Sequence, residues 1–270
     1  LCRTLPIKQK RIKGVRYFNL DISDNNDLKL LSEISFNYIV NLLGYINHSS
    51  FFEAGKEIIN LHFYFLVNLV SSLRKDHLIR FVQIGSSDEY GNNVAPQHET
   101  MIEKPFTPYS FAKLASTKFI KYLFESETFP CTILRPFIIY GPGQRNDRLI
   151  PYVINQSLKN ENFEVSSGKQ IRDFLHVDDA VEAIFLSFKE DNVNGRIINL
   201  GSGQPRTVKS VIQFIVKEIG LGNPIYGDFI SRKEENLELY PNLEVAKKIL
   251  NWESKITFEL GLKNLIKYYK

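Results

Sequence analysis

The strongest constraint on this chain is how its hydrophobic period alternates over the first half. Short β-rich runs that read as strands alternate with longer stretches of helical period. "VRYFNLDISD" (15–24) predicts a strand running into a turn, and "NYIVNLLGY" (37–45) a strand buried on both faces. Residues 51–74 follow as a long helix, then "LIRFVQIGSS" (78–87) as a second buried strand. "TPYSFAKLASTKFIKYLFE" (107–125) is the next helix, with Thr107 placed to cap it and Pro108 at its first position. "FPCTILRPFIIYGP" (129–142) closes the series as strand and turn. A β-α-β-α order of this kind predicts an α/β fold with a Rossmann-like, doubly wound parallel sheet. After Gly143 the texture shifts to strand-loop-helix units and two terminal amphipathic helices, with no repeats and no low-complexity linker. The expected division is a first domain over residues 1–145 and a smaller α/β lobe over 146–270 packed directly on it over a cleft, some elements interleaving.

Composition narrows the class of partner. The net charge of +4 is mild and spread along 270 residues, with no compact basic block, so nucleic acid is not expected. The two cysteines, Cys2 and Cys131, lie far apart and form no CxxC pattern, which fits a reducing compartment; a cytoplasmic location is expected. No apolar run reaches membrane-spanning length, and no signal peptide is visible.

Tyr109 and Lys113 stand four apart in "PYSFAKLAS", so a helix points both from one face. An ammonium beside a phenol favours the phenolate and lowers the tyrosine pKa, making it a usable acid or base. A serine at the end of the preceding strand, in "IGSSDEYG", can hold a substrate oxygen while its charge changes. By itself the Tyr-Lys spacing says little, since many helices carry a tyrosine beside a solvated lysine.

Six segments together say more. "GSSDEYG", "PYSFAK", "LRPFIIYGPGQ", "IRDFLHVDDAVEAI", "INLGSGQPRTV" and "LEVAKKILNW" resemble, in order, signatures of the extended short-chain dehydrogenase/reductase family that acts on nucleotide sugars. The resemblance runs from about Asp21 onward. It implies Tyr109 as the acid/base, Lys113 on the nicotinamide ribose, and Ser86 on the reacting sugar oxygen. Ser87 is the alternative if the register is off by one. Members open with a strand and a glycine-rich turn that seats the cofactor pyrophosphate at a helix N-terminus. No such pattern precedes Asp21, and "LCRTLP" resembles the end of the second strand. The first βα unit, about 30 residues, is therefore expected upstream; the rival reading is a natural variant that has lost cofactor binding.

On that basis Arg3 points to the 2′-phosphate of NADP, with NAD the alternative if Arg3 is only a solvated loop arginine. The resemblance implies Asp21 and Ile22 flanking the adenine, and Leu42, Leu43 and Gly44 passing under the cofactor. Ser87, Asp88 and Leu149 are implied on the substrate, with Ile150 and Tyr152 beside Leu149 around its base. Arg172 and Arg232 are implied on the nucleotide diphosphate, the bland alternative being a salt bridge from Arg172 to Asp173 or Asp178. Two positions depart from the family pattern: Ile138 stands where many relatives have asparagine, and His62 stands about where relatives have asparagine at the cofactor. His48 is expected either to face the sugar or to be satisfied within the fold. The "HVDDA" stretch implies no metal.

Three reactions of the family compete. A 4,6-dehydratase places an acidic pair directly after the Ser/Thr, whereas here Ser87 intervenes before Asp88 and Glu89. A 4-epimerase needs tightly held NAD. A 4-keto reductase needs exchangeable NADPH, and "GSS-x-EYG" looks most like the reductases that finish 6-deoxyhexoses. The expected reaction is reduction at C4 of a nucleotide-linked 4-keto-6-deoxyhexose, followed by epimerase and then dehydratase. A non-catalytic scaffold or sensor is the alternative from another class. The family's habit implies a homodimer through the helix of Tyr109, where Leu114, Phe119 and Leu123 either face a partner or belong to the core.

Overall fold

The computed structural model describes residues 11–227 and 236–270 apart from Ile22. The chain runs α1 (Asn25–Ser32), β1 (Tyr38–Asn41), α2 (residues 51–71), β2 (Arg80–Ile84) and α3 (Pro108–Glu127). It continues through β3 (Cys131–Pro136), β4 (Ile138–Tyr140), α4 (Leu149–Leu158), β5 (Asn162–Ser166), β6 (Ile171–Arg172) and β7 (Phe174–His176). Then come α5 (Val177–Lys189), β8 (Arg196–Leu200), β9 (Arg206–Thr207), α6 (Val208–Ile219), β10 (Asn223–Gly227), β11 (Glu238–Leu239), α7 (Glu244–Leu250) and α8 (Phe258–Tyr269).

The central sheet has the order β1-β2-β3-β8, every pair parallel. Its register explains the near-continuous apolar runs. Phe81 and Ile133 point to one face, where they meet Leu66 and Leu69 of α2 and Ile120 of α3. The next residues, Val82 and Leu134, point to the other, against Ala180 and Ala183 of α5 and Ala246 and Leu250 of α7. Side chains alternate across a strand, so covering both faces needs both alternate sets to be apolar. Each fully buried side chain of this size contributes about 1.5–3 kcal/mol. β8, far along the chain, completes this first sheet through Thr132↔Arg196 to Pro136↔Leu200.

A second core gathers Val153 and Ile154 of α4, Phe163 and Val165 of β5, Val211, Ile212 and Ile215 of α6, and Leu262 and Leu265 of α8. It surrounds the small parallel pairs β5·β10 and β4·β7. Among the described residues no helix is long and apolar enough to cross a membrane.

Three local expectations change. The described residues of 15–24 form no strand; most are exposed, Val15 among them, and among the described residues none pairs with them in a ladder. The run at 37–45 is a strand only to Asn41. There the Asn41 amide donates to Gln83 Oε1 at 2.8 Å and its oxygen accepts from Leu43 N at 3.0 Å, which turns the chain out of the sheet. The helix over 51–71 contains two π-helical turns, Phe51–Gly55 and Asn60–Tyr64. Such turns widen the helix and shift its facing, and His62 comes to lie inward at 5% exposure while Asn60 is exposed.

Candidate active site

β2 delivers the chain to a tight turn. Ser86 is extended (φ −155°), and its Oγ accepts from Asp88 N at 3.2 Å while its own N–H donates to Glu89 Oε1 at 2.7 Å. This reciprocal capping starts the short 3₁₀ turn Ser87–Tyr90. Opposite it, Thr107 Oγ1 accepts from Ser110 N at 3.1 Å and Pro108 occupies the first turn of α3, as expected from the sequence. The four-residue spacing then brings Tyr109 and Lys113 to the same side, 4% and 7% exposed. Lys113 Nζ donates to Ile84 O at 2.9 Å, tying the helix to the end of β2.

Burial pushes the Tyr109 phenol well above its ordinary value, and the carboxylate of Asp88 adds to the rise; a hydrogen bond with Ser86 and the charge of Arg148 pull the other way. The expected lowering by Lys113 is not what this geometry delivers. Lys113 is itself lowered to about 8, because burial penalises its charge more than Glu89 supports it. Tyr109 is therefore a neutral hydroxyl, a proton donor at neutral pH.

These groups open on a cavity of about 830 Å³. Leu42, Leu43 and Gly44 after β1, Gly85–Asp88 after β2, and Phe137–Tyr140 after β3 form one side. Arg148, Leu149 and Tyr152 at the start of α4, with Arg172, form another. It thus lies at the carboxyl ends of parallel strands, where open α/β sheets bind ligands.

The sequence-derived candidates divide three ways. Tyr109, Lys113, Ser86, Ser87, Asp88, Leu42, Leu43, Gly44, Leu149 and Arg172 all line the cavity. Asp21 is exposed and outside that lining, accepting from Ser23 N at 2.9 Å and Ser23 Oγ at 2.6 Å. Arg3, Ile22 and Arg232 lie outside the described residues. Arg172 donates to the carbonyls of Ile171 (2.9 Å) and Leu237 (3.2 Å), while Asp173 accepts from Ser202 N and Gly203 N. Of the acidic pair, only Asp88 faces the cavity. Glu89 turns inward to Arg135 at 2.6 Å, both side chains fully buried. Phe119 and Leu123 pack against the core, whereas Phe111 and Tyr122 of α3 are exposed.

Arg148 escaped the sequence reading. It stands just before α4, outside the helix period and without a side-chain cap bond, and only the fold brings its charge toward Tyr109. His62 packs on Gly44 so closely that a Cβ there would stand 2.0 Å from the imidazole, and Gly44 sits at φ +111°. His62 Nε2 lies 3.0 Å from Tyr45 O, its Nδ1 is buried without a partner, and its ring meets Tyr109 edge-on at 5.1 Å. Burial and the charge of Lys113 lower it to about 4, so it is neutral. The close glycine passage and the Tyr109–Lys113 face fit a ribose, the nicotinamide half of a dinucleotide.

Comparison with known proteins agrees. The model of a family described as "NAD dependent epimerase/dehydratase family" matches residues 3–201. A mouse dTDP-D-glucose 4,6-dehydratase is 26% identical over 274 residues, covering 98% of this chain and 76% of the relative. A UDP-glucuronate 4-epimerase of Thermodesulfobacterium geofontis is 24% identical, covering 97% and 81%. The crystal structure of a UDP-glucose 4-epimerase of Thermotoga maritima superposes with a TM-score of 0.86 at 22% identity, over 97% of this chain and 87% of that one, a likeness of fold.

Proposed function

The chain belongs to the NAD dependent epimerase/dehydratase family, and from that membership we propose that it is an NAD(P)-dependent oxidoreductase of a nucleotide sugar, reducing a 4-keto-6-deoxyhexose at C4. What supports the direction is the buried Tyr109 hydroxyl on the cavity wall beside Ser86, held protonated by burial and the charge of Asp88. Reducing a ketone leaves an alkoxide that needs a proton, and a phenol held protonated beside a second hydroxyl is suited to give it. The nicotinamide, when bound, supplies hydride chemistry. Lys113 would hold its ribose, and Leu42, Leu43 and Gly44 would pass beneath it, with His62 packed behind Gly44. On the substrate side, Ser86 would hold the C4 oxygen, Ser87 and Asp88 would line the sugar, and Leu149 would meet the base. Arg172 would face the diphosphate, with Arg148 as further positive charge.

NADP as the preferred cofactor rests on Arg3 alone. A homodimer is the reading of the exposed apolar residues Phe111 and Tyr122 on α3 and of Phe52 and Tyr64 on the adjoining α2. The two-lobed division, with the cavity between, is kept with β8 counted in the first sheet.

A second reading, dehydratase or epimerase, draws on the names of the relatives and on Asp88, a carboxylate that faces the cavity beside Tyr109. The test is NADPH oxidation against UDP-, dTDP- and GDP-linked 4-keto-6-deoxyhexoses. Turnover that falls by about a hundredfold or more in Tyr109→Phe, the range of general acid catalysis, supports the reductase. Interconversion or dehydration of a nucleotide hexose without net NADPH use replaces it with the second reading.

A further inference from the structure

Two imidazoles meet the Tyr109 ring edge-on, His62 at 5.1 Å and His48 at 5.4 Å, and they differ in what they can do. His62 is sealed: buried, neutral and turned to the Tyr45 carbonyl. His48 is on the cavity wall with its side chain 17% exposed, and its Nε2 stands 3.5 Å from Asp88 Oδ2, itself 29% exposed. Both partners are fixed from the backbone. Asn47 Oδ1 accepts from Ser49 N at 2.9 Å, which shapes the loop around His48. Ser86 Oγ accepts from Asp88 N at 3.2 Å, which holds the backbone of Asp88 in the turn facing the cavity beside Tyr109.

We propose that His48, oriented by Asp88, is a second acid/base residue of this site, acting on the carbon next to the C4 ketone of the bound sugar. The proposal rests on the reading of the cavity as a nucleotide-sugar site, and goes beyond hydride transfer at C4. Tyr109 and Ser86 converge on the ketone oxygen and are engaged there. A proton on the neighbouring carbon is acidified by that carbonyl and needs a separate base. The imidazole takes this proton as the C–H bond breaks. The electron pair enters the new C–C double bond, and the negative charge on the C4 oxygen is held by the two hydroxyls. The carboxylate of Asp88 stabilises the imidazolium formed. Return of the proton to the same carbon restores the ketone, so no oxidant or co-reactant is consumed.

In D₂O this chemistry leaves a label. The purified protein, saturated with NADP⁺, is incubated with UDP-, dTDP- or GDP-linked 4-keto-6-deoxyhexose, and deuterium entry is followed by proton NMR against an enzyme-free control. NADPH oxidation with the same sugars is measured in parallel. The expected result is enzyme-dependent deuterium at a carbon flanking C4. His48→Gln lowers the ratio of exchange to NADPH oxidation about a hundredfold, with unchanged thermal unfolding as the check on folding. Asp88→Asn lowers that ratio in the same direction by a smaller factor. NADPH oxidation without enzyme-dependent exchange, or a ratio that His48→Gln leaves unchanged, overturns the proposal while the reductase reading stands. Exchange without NADPH oxidation overturns the reductase reading and leaves the role of His48 in place. Neither signal with any sugar overturns both.

Discussion

Arg135 and Lys113 are both buried cations beside the turn that ends β2, and the fold treats them in opposite ways. Arg135 is fully buried and its charge is answered: Nη2 meets Glu89 at 2.6 Å and Glu103 at 3.1 Å, and the Tyr90 ring lies under the guanidinium at 4.4 Å, although Nε and Nη1 have no hydrogen-bond partner among the described residues. Tyr90 in turn donates to Asn199 Oδ1 at 2.8 Å, linking β8 to the turn. Lys113 has a carbonyl oxygen and a cavity. One 3₁₀ turn separates the two settings, with Ser87 and Asp88 toward the cavity and Glu89 and Tyr90 toward the network. A compensated buried charge holds the scaffold, whereas an uncompensated one is costly unless a ligand uses it.

The largest effect expected from breaking this contrast is on stability at Arg135. Arg135→Met strands the fully buried Glu89 without its cation, while Glu103 keeps Lys118 at 2.9 Å, and chemical denaturation is expected to show a loss of about 3–5 kcal/mol. Lys113→Met is expected to do the reverse at neutral pH while abolishing turnover. The folded pKa of Lys113 is about 8 against 10.5 unperturbed. Between those values the unfolded chain binds more protons than the folded one, so this group's contribution to stability rises with pH. Below about pH 8 the penalty is present in full, roughly 3 kcal/mol from the shift. Denaturation curves should therefore show Lys113→Met at or above wild type at pH 7, the margin fading toward pH 10.5.

His62 sharpens the comparison at acid pH. Its folded pKa of about 4 lies below the ordinary 6.5, so the unfolded chain binds the extra proton between them and acid destabilises the fold. Wild type is expected to lose up to roughly 3 kcal/mol through this group as pH falls across that window. His62→Gln removes that component, and a proton NMR titration of the imidazole reads the pKa directly. The smallest effect expected is from Gly44→Ala, where a methyl group meets the His62 ring and the positive φ is strained. About 1–3 kcal/mol is expected in thermal or chemical unfolding, together with weaker NADP⁺ binding by fluorescence titration.

The parts of this site legible in the sequence are those whose spacing survives folding unchanged. Tyr109 and Lys113 read correctly as neighbours because α3 is a regular helix with its cap in plain view. The cores of β2 and β3 read correctly because both alternate sets are apolar, whereas β1, expected to be buried on both faces, is exposed at Tyr38 and only half-buried at Ile39 and Val40. What stayed hidden depends on contacts between distant segments or on broken periods. His62 faces inward through a π-helical turn that a period of 3.6 does not anticipate. Glu89 reads as half of an acidic pair, yet Arg135, 46 residues later, turns it away from the cavity. The described residues of 15–24 carry strand residues but pair with no described neighbour, since propensity alone does not make a sheet.

The central claim is that a neutral Tyr109 serves reduction at C4, and isotope transfer tests it most directly. The protein is mixed with C4-deuterated NADPH and each nucleotide-linked 4-keto-6-deoxyhexose, and the product is analysed by NMR. One deuterium at C4 of the product sugar, lost in Tyr109→Phe, is the result expected. Unlabelled product formed with the cofactor unconsumed contradicts the account.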